Sequence, residues 1–168
     1  MERLPAEGKI CLSFRALFLY NKNGMADLDT ALQIACEAHR GQKDRYGQPF
    51  ILHPLRVMMR CELENEQIVA LLHDVVERSD RSLEDLRGYG FAEAIVPAVE
   101  RLTKLEGEPY LEYISRARGD SLASSVKRAD LQDHMDVISA RGLAADSVER
   151  LARYRQAMQA LIGNDKYP

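Results

Sequence analysis

From Leu28 to Ile162 apolar residues recur every three or four positions, and no stretch alternates apolar with polar as a half-buried strand does. A chain patterned in this way has to bury helical stripes against one another. Leu28, Ala31, Leu32, Ile34, Ala35 and Ala38 form the first stripe, with Asp27 as N-cap and a stop near Gly41. A polar loop, Gln42 to Gln48, follows, broken by Gly47 and Pro49. A second helix opens at His53-Pro54 and carries Leu55, Val57, Met58 and Cys61; a third runs from about Glu66 to Val76. Ser82-Leu83-Glu84-Asp85 starts a short helix that stops at Gly88 or Gly90. Phe91 to Leu105 reads as helical, started or kinked by Pro97. Tyr110 to Arg118 is closed by Gly119, Ser121 to Ala140 is long, and Ala145 to Ile162 is last. The expectation is an all-α, compact, single-domain orthogonal helical bundle over residues 25–168.

The 168 residues, 46% of them hydrophobic and 29% charged, suffice for one well-buried core. A net charge of −3 argues against nucleic acid as the main partner, since backbone phosphates call for a basic face. No run approaches the roughly 20 apolar residues of a membrane helix. The closest, Ile10 to Tyr20, is broken by Arg15 and lacks a small-residue cleavage site. Residues 1–24 read either as an N-terminal extension of uncertain role or as a misassigned start, with Met25-Ala26-Asp27 resembling a natural chain start. Cys11, Cys36 and Cys61 are odd in number and far apart, which fits reduced, mostly buried thiols in a cytoplasmic protein.

The chemistry concentrates in Ala70-Leu71-Leu72-His73-Asp74-Val75-Val76-Glu77. Polar groups set into an apolar helical run are costly to bury alone, and a metal ion that neutralises them removes the cost. On a helix, adjacent residues diverge by about 100°. His73 and Asp74 can thus share an ion only if other helices close the sphere, and His53 and Asp130 are the candidates. Two imidazoles and two carboxylates suit Mn²⁺, Fe²⁺, Co²⁺ or Zn²⁺ better than Ca²⁺. Glu77, four residues after His73, is placed to move a proton. Arg78 follows Asp74 by four, an order that favours an intrahelical ion pair, with a substrate phosphate as the other possible partner. Lys43, Arg45, Lys104, Lys127 and Arg128 are further cations near these motifs. His39, at a helix C-terminus, is given a structural role as an imidazolium facing the helix dipole.

Five segments, in this order and spacing, resemble the HD superfamily of metal-dependent phosphohydrolases, and within it the hydrolase domain of RelA/SpoT proteins and the small alarmone hydrolases. They are Ala38-His39-Arg40-Gly41-Gln42, Gly47-Gln48-Pro49-Phe50-Ile51-Leu52-His53-Pro54, Leu71 to Glu77, Leu102-Thr103-Lys104, and Val126-Lys127-Arg128-Ala129-Asp130. The resemblance implies an all-helical HD-type fold and one Mn²⁺ held by His53, His73, Asp74 and Asp130. The implied reaction is hydrolysis of the 3′-pyrophosphate of ppGpp or pppGpp to GDP or GTP and pyrophosphate. Glu77 is the implied catalytic acid-base, and Lys43, Arg45, Lys127, Arg78 and His134 are the expected contacts to a small phosphorylated nucleotide.

Three positions depart from the family pattern. Arg78 stands where a second acid is usual, His134 where an asparagine is usual, and Asp44 where a basic residue is usual. These departures keep two alternatives open: a degenerate HD domain that binds a nucleotide or partner without turnover, and an HD phosphohydrolase for another phosphoester, such as a nucleoside monophosphate.

Overall fold

The computed structural model describes residues 26–141 and 145–163. Residues 1–24, read as an extension or a misassigned start, lie outside them. The described elements are α1 (Leu28–Ala38), α2 (Leu52–Met58), α3 (Glu64–Leu72), α4 (Val75–Arg78), α5 (Leu83–Gly88), α6 (Ile95–Leu102), α7 (Tyr110–Arg118), α8 (Ser121–Arg141) and α9 (Ala145–Ile162). Among the described residues the only extended pairing is an isolated antiparallel bridge between Lys43 and Pro49. The all-α expectation holds. No described helix is long and apolar enough to cross a membrane.

Helix α3 is the centre of the bundle because Ile68, Val69, Ala70, Leu71 and Leu72 are consecutive and all buried. A helix apolar on every side has to be surrounded. Here α1, α2, α6 and α8 pack around it, and α9 closes on α7 and α8. Each large aliphatic side chain buried in this way contributes roughly 1.5–3 kcal/mol. Local signals set the helix starts as the sequence suggests. Asp27 Oδ1 accepts from Thr30 N at 3.0 Å, and Ser82 and Asp85 cap one another, with Asp85 N to Ser82 Oγ at 3.1 Å and Ser82 N to Asp85 Oδ2 at 2.7 Å. Pro97 is the third residue of α6, where the missing N–H has no intrahelical acceptor to lose.

The structure corrects the third helix. It is not continuous from Glu66 to Val76 but breaks at His73-Asp74, with Asp74 at φ −100°, ψ −5° before the single turn of α4. The Asp74 carbonyl still accepts from Arg78 N at 3.0 Å, but its carboxylate makes no capping bond. The two polar residues therefore sit at a joint, where their side chains escape the apolar packing of α3. The second and sixth helices are also shorter than read: Cys61 lies beyond α2, and residues 91–94 precede α6. Cys61 is buried, whereas Cys36 is exposed, contrary to the expectation of mostly buried thiols.

The loop between α1 and α2 is held by side chains rather than by a sheet. Gln42 Nε2 donates to Ala38 O at 2.9 Å and to Arg78 O at 2.7 Å, tying the end of α1 to the end of α4. Asp44 Oδ1 accepts from Tyr46 N and Gln48 N, both at 2.8 Å. Gly47, at φ +78°, closes this turn in a conformation that favours glycine. The turn delivers Phe50 and His53 to the bundle.

Candidate metal centre and anion cleft

His53 enters from α2, His73 and Asp74 from the α3–α4 joint, and Asp130 and His134 from consecutive turns of α8. His53 Nε2 stands at their centre, 3.2 Å from Asp130 Oδ1 and 3.8 Å from Asp74 Oδ2. Asp74 Oδ2 lies 3.6 Å from His73 Nε2. The donor atoms form two overlapping triads, His53–His73–Asp74 and His53–Asp130–His134, each with all its atoms within 4.8 Å of one another. The four residues singled out from the sequence are thus brought together, with His134 added to them.

The partners of the two central imidazoles fix which nitrogen faces inward. His73 Nδ1 lies 2.6 Å from Ala70 O, an atom that only accepts, so Nδ1 carries a hydrogen and Nε2 is the nitrogen turned toward Asp74. His53 Nδ1 donates to Asp133 Oδ2 at 2.8 Å. Asp133 is 1% exposed and also receives Arg56 Nε at 2.7 Å and Nη2 at 2.9 Å. Burial disfavours its charge, but the hydrogen bonds from His53 and Arg56 prevail and lower its pKa to about 2. Sequence reasoning missed Asp133 and Arg56. The available signal was that each stands three residues after a proposed ligand, Asp130 and His53, on the same helix face.

The carboxylates dominate the electrostatics around His53. Burial pulls the His53 pKa down, yet the attraction of Asp130 and Asp133 outweighs it and raises the value to about 9. Burial likewise opposes charge on Asp74, but His73 and His53 lower its pKa. Asp130 is buried too, and Lys127 and His134 hold its carboxyl well below the usual range. Its Oδ1 is nevertheless a buried acceptor without an aligned donor, although His53 Nε2 and His134 Nε2 lie only 3.2 and 3.1 Å away. Buried polar atoms are nearly always satisfied. An orphaned carboxylate oxygen beside inward-facing imidazole nitrogens is a donor set that fits a divalent metal ion.

The remaining expected site residues fall into three groups. Lys43, Arg45 and Arg78, with Arg56 and Arg150, line a cleft of about 350 Å³ whose floor includes His53 and His134. Its two carboxylates, Asp44 and Asp133, are already engaged by the backbone turn and by Arg56, so the cleft suits an anion. Arg78 Nε lies 3.5 Å from Asp74 Oδ2, and its guanidinium sits 4.3 Å above the Phe50 ring. Arg45 reaches Asp146 Oδ2 at 3.3 Å. Lys127 is different from the expectation: its ammonium is buried behind the centre, 2.7 Å from Asp130 Oδ2 and 3.0 Å from the Tyr113 hydroxyl. It holds a candidate ligand rather than facing the cleft. Glu77 is exposed and accepts from the Lys104 backbone N–H at 3.3 Å. His39 corrects its reading in another way. It is buried against Phe50, and burial lowers its pKa, so it sits at the end of α1 as a neutral ring and not as an imidazolium.

No protein-family model matches the chain. Individual relatives do. The chain is 32% identical over 136 residues to the guanosine-3′,5′-bis(diphosphate) 3′-pyrophosphohydrolase of Vibrio cholerae, covering 71% of this chain and 19% of that protein. It is 29% identical over 124 residues to the protein of the same name from Aquifex aeolicus, covering 67% and 18%. It is 28% identical over 141 residues to the bifunctional (p)ppGpp synthase/hydrolase SpoT of Escherichia coli, covering 75% and 20%. The chain thus spans about a fifth of the length of these curated relatives. A solved structure of a metazoan ortholog of SpoT, described as hydrolysing ppGpp, superposes with a TM-score of 0.68 at 25% identity, over 84% of this chain and 88% of that one.

The fold and the histidine–aspartate cluster define an all-α bundle of the HD-domain type. Within that class the chain resembles the RelA/SpoT hydrolase domain and the stand-alone SpoT-like hydrolases.

Proposed function

We propose that this chain is a cytoplasmic, metal-dependent phosphohydrolase that removes the 3′-pyrophosphate of ppGpp or pppGpp. The observation that carries the proposal is the gathering of His73, Asp74 and Asp130 around His53, which itself lines a cationic cleft. These four residues would hold the divalent ion, for which Mn²⁺ is proposed, with Fe²⁺, Co²⁺ and Zn²⁺ as the other ions suited to such donors. A bound divalent ion supplies acidification of a water and polarisation of a phosphoryl oxygen. The chain supplies the rest. Ala70 O and Asp133 engage the two Nδ1 atoms, so that both Nε2 atoms are turned inward. Lys43, Arg45 and Arg78 neutralise the phosphates in the cleft, and the exposed carboxylate of Glu77 takes the water proton or returns one to the leaving oxygen.

The test is turnover of a panel of ppGpp, pppGpp and nucleoside monophosphates, with added Mn²⁺ and after chelation. The expected result is release of pyrophosphate from ppGpp that chelation abolishes and Mn²⁺ restores. A purified protein with no affinity for transition metals, and no metal-dependent turnover of any member of the panel, would sink the proposal. Turnover of a monophosphate alone would redirect it to another phosphoester.

Arg78 supports a second reading, binding without turnover. Its guanidinium leans on Asp74 Oδ2 and Phe50, a cation where the family pattern has an acid. On the hydrolase reading Arg78→Ala raises KM by about tenfold, the scale of one lost charge-assisted hydrogen bond, and leaves kcat nearly unchanged. On the binding reading the native chain is inert, and Arg78→Asp creates activity. Steady-state kinetics of the two variants separate these outcomes.

A further inference from the structure

His134 lines the cleft beside His53. Its ring is clamped between two others, stacked on His53 with centroids 4.7 Å apart and on Tyr154 of α9 with centroids 5.0 Å apart. The clamp aims Nε2 inward, 3.1 Å from Asp130 Oδ1, the same oxygen that His53 Nε2 approaches at 3.2 Å. Neither contact has hydrogen-bond alignment, and Oδ1 is left buried without a donor. Neighbouring donors bound to one small divalent ion at ~2.0–2.2 Å stand ~3 Å apart. Two imidazole nitrogens this close to one carboxylate oxygen that has no donor, all three atoms within 4.8 Å of one another, fit part of the coordination shell of one ion.

We propose that His134 is a third imidazole ligand of the same ion that His53, His73, Asp74 and Asp130 would hold. The inference rests on the metal-site reading above and deepens it. A shell with three imidazoles shifts preference away from Mn²⁺, which favours oxygen donors, toward Zn²⁺, Co²⁺ or Fe²⁺, which imidazole suits better. The family position held by an asparagine, an amide with a weak oxygen donor, would then have become a nitrogen ligand in this chain. Arg78 and His134, the two departures nearest the centre, would act differently: one on charge in the cleft, the other on the identity of the ion.

The test compares the full chain with His134→Asn and His134→Gln by calorimetric titration with Zn²⁺ and Mn²⁺ and by the visible absorption of the Co²⁺-loaded proteins. Loss of even an outer partner of a metal ligand typically costs ~10–100-fold in affinity. Both variants are therefore expected to bind Zn²⁺ at least about tenfold more weakly than wild type, with a smaller change for Mn²⁺ and an altered Co²⁺ band pattern. Unchanged circular dichroism keeps the comparison to the site, and His134 is exposed enough at the surface of α8 for both amides to be accommodated. Identical Zn²⁺ affinity and an identical Co²⁺ spectrum would overturn the third-imidazole proposal and leave the four-residue site standing. Absence of binding by the wild type would instead remove the metal-site reading itself. Two equivalents of Zn²⁺ per chain would overturn the single shared ion.

Discussion

Lys127→Met is expected to destabilise the metal-free protein by about 3 kcal/mol, the lower end of the ~3–5 kcal/mol typical when one member of a buried ion pair is removed. The ammonium and the Asp130 carboxylate are both nearly inaccessible, with side-chain exposures of 9% and 4%, and their 2.7 Å contact is the shortest that Asp130 makes. Burial opposes the charge on Lys127, but Asp130 and Tyr113 raise its pKa well above the usual value. The lower end applies because Asp130 Oδ1 keeps His53 and His134 beside it after the change. Urea unfolding in the presence of a chelator measures the loss.

The pH dependence of that loss follows from Asp130. In the wild type its carboxyl is held well below the ordinary value of ~3.9. Its pairing therefore stabilises the fold at all pH values above that figure and is lost only as pH falls through the depressed native value. Without the ammonium, burial raises the carboxyl instead, and the penalty lessens as acid protonates it. The gap between variant and wild type should narrow as pH falls. A gap independent of pH would assign the loss to packing of the lysine stem. The double variant Lys127→Met, Asp130→Leu should recover most of the stability, because an apolar pair of similar volume replaces a buried ionic one at little or no cost.

How far the sequence discloses this molecule depends on which force decides each feature. Helix starts at Asp27 and Ser82 and the fully apolar run of α3 are local, and they are legible from a few adjacent residues. The break at His73-Asp74 is not local. Helical periodicity continues through it, and only the surrounding helices turn two polar side chains out of the packed line. The same distinction runs through the site. His53, His73, Asp74 and Asp130 stand out because such residues are conspicuous in apolar surroundings. Lys127 is conspicuous for the same reason, but a buried cation and a ligand-facing cation look alike until Tyr113 and Asp130 are seen around it. Asp44, a departure when read as a lost cation, is the acceptor that organises the loop ahead of Phe50 and His53. Asp133 and Arg56 are less conspicuous: each stands three residues after a candidate ligand, but nothing local shows that the two meet each other.

Asp133→Asn is expected to weaken binding of a divalent metal by ~10–100-fold, the range typical for loss of a carboxylate behind a ligating histidine. The native carboxylate accepts three hydrogen bonds, one from His53 Nδ1 and two from Arg56. An amide has only one acceptor oxygen to offer those three donors. If that oxygen turns to Arg56, the amide NH₂ faces His53 Nδ1, which has to become the acceptor. The hydrogen then moves to Nε2, the atom 3.2 Å from Asp130 Oδ1, and blocks the lone pair that a metal needs. If the oxygen turns to His53, Arg56 keeps its charge but loses its anionic partner, and the tautomer survives. Arg56→Met distinguishes the two effects, since it removes the ion pair and leaves the His53–Asp133 bond. Calorimetric titration should show a large loss for Asp133→Asn and a small one for Arg56→Met. Equal losses would mean that the ion pair, and not the tautomer of His53, governs the site; no loss in either variant would remove Asp133 from any role behind the metal.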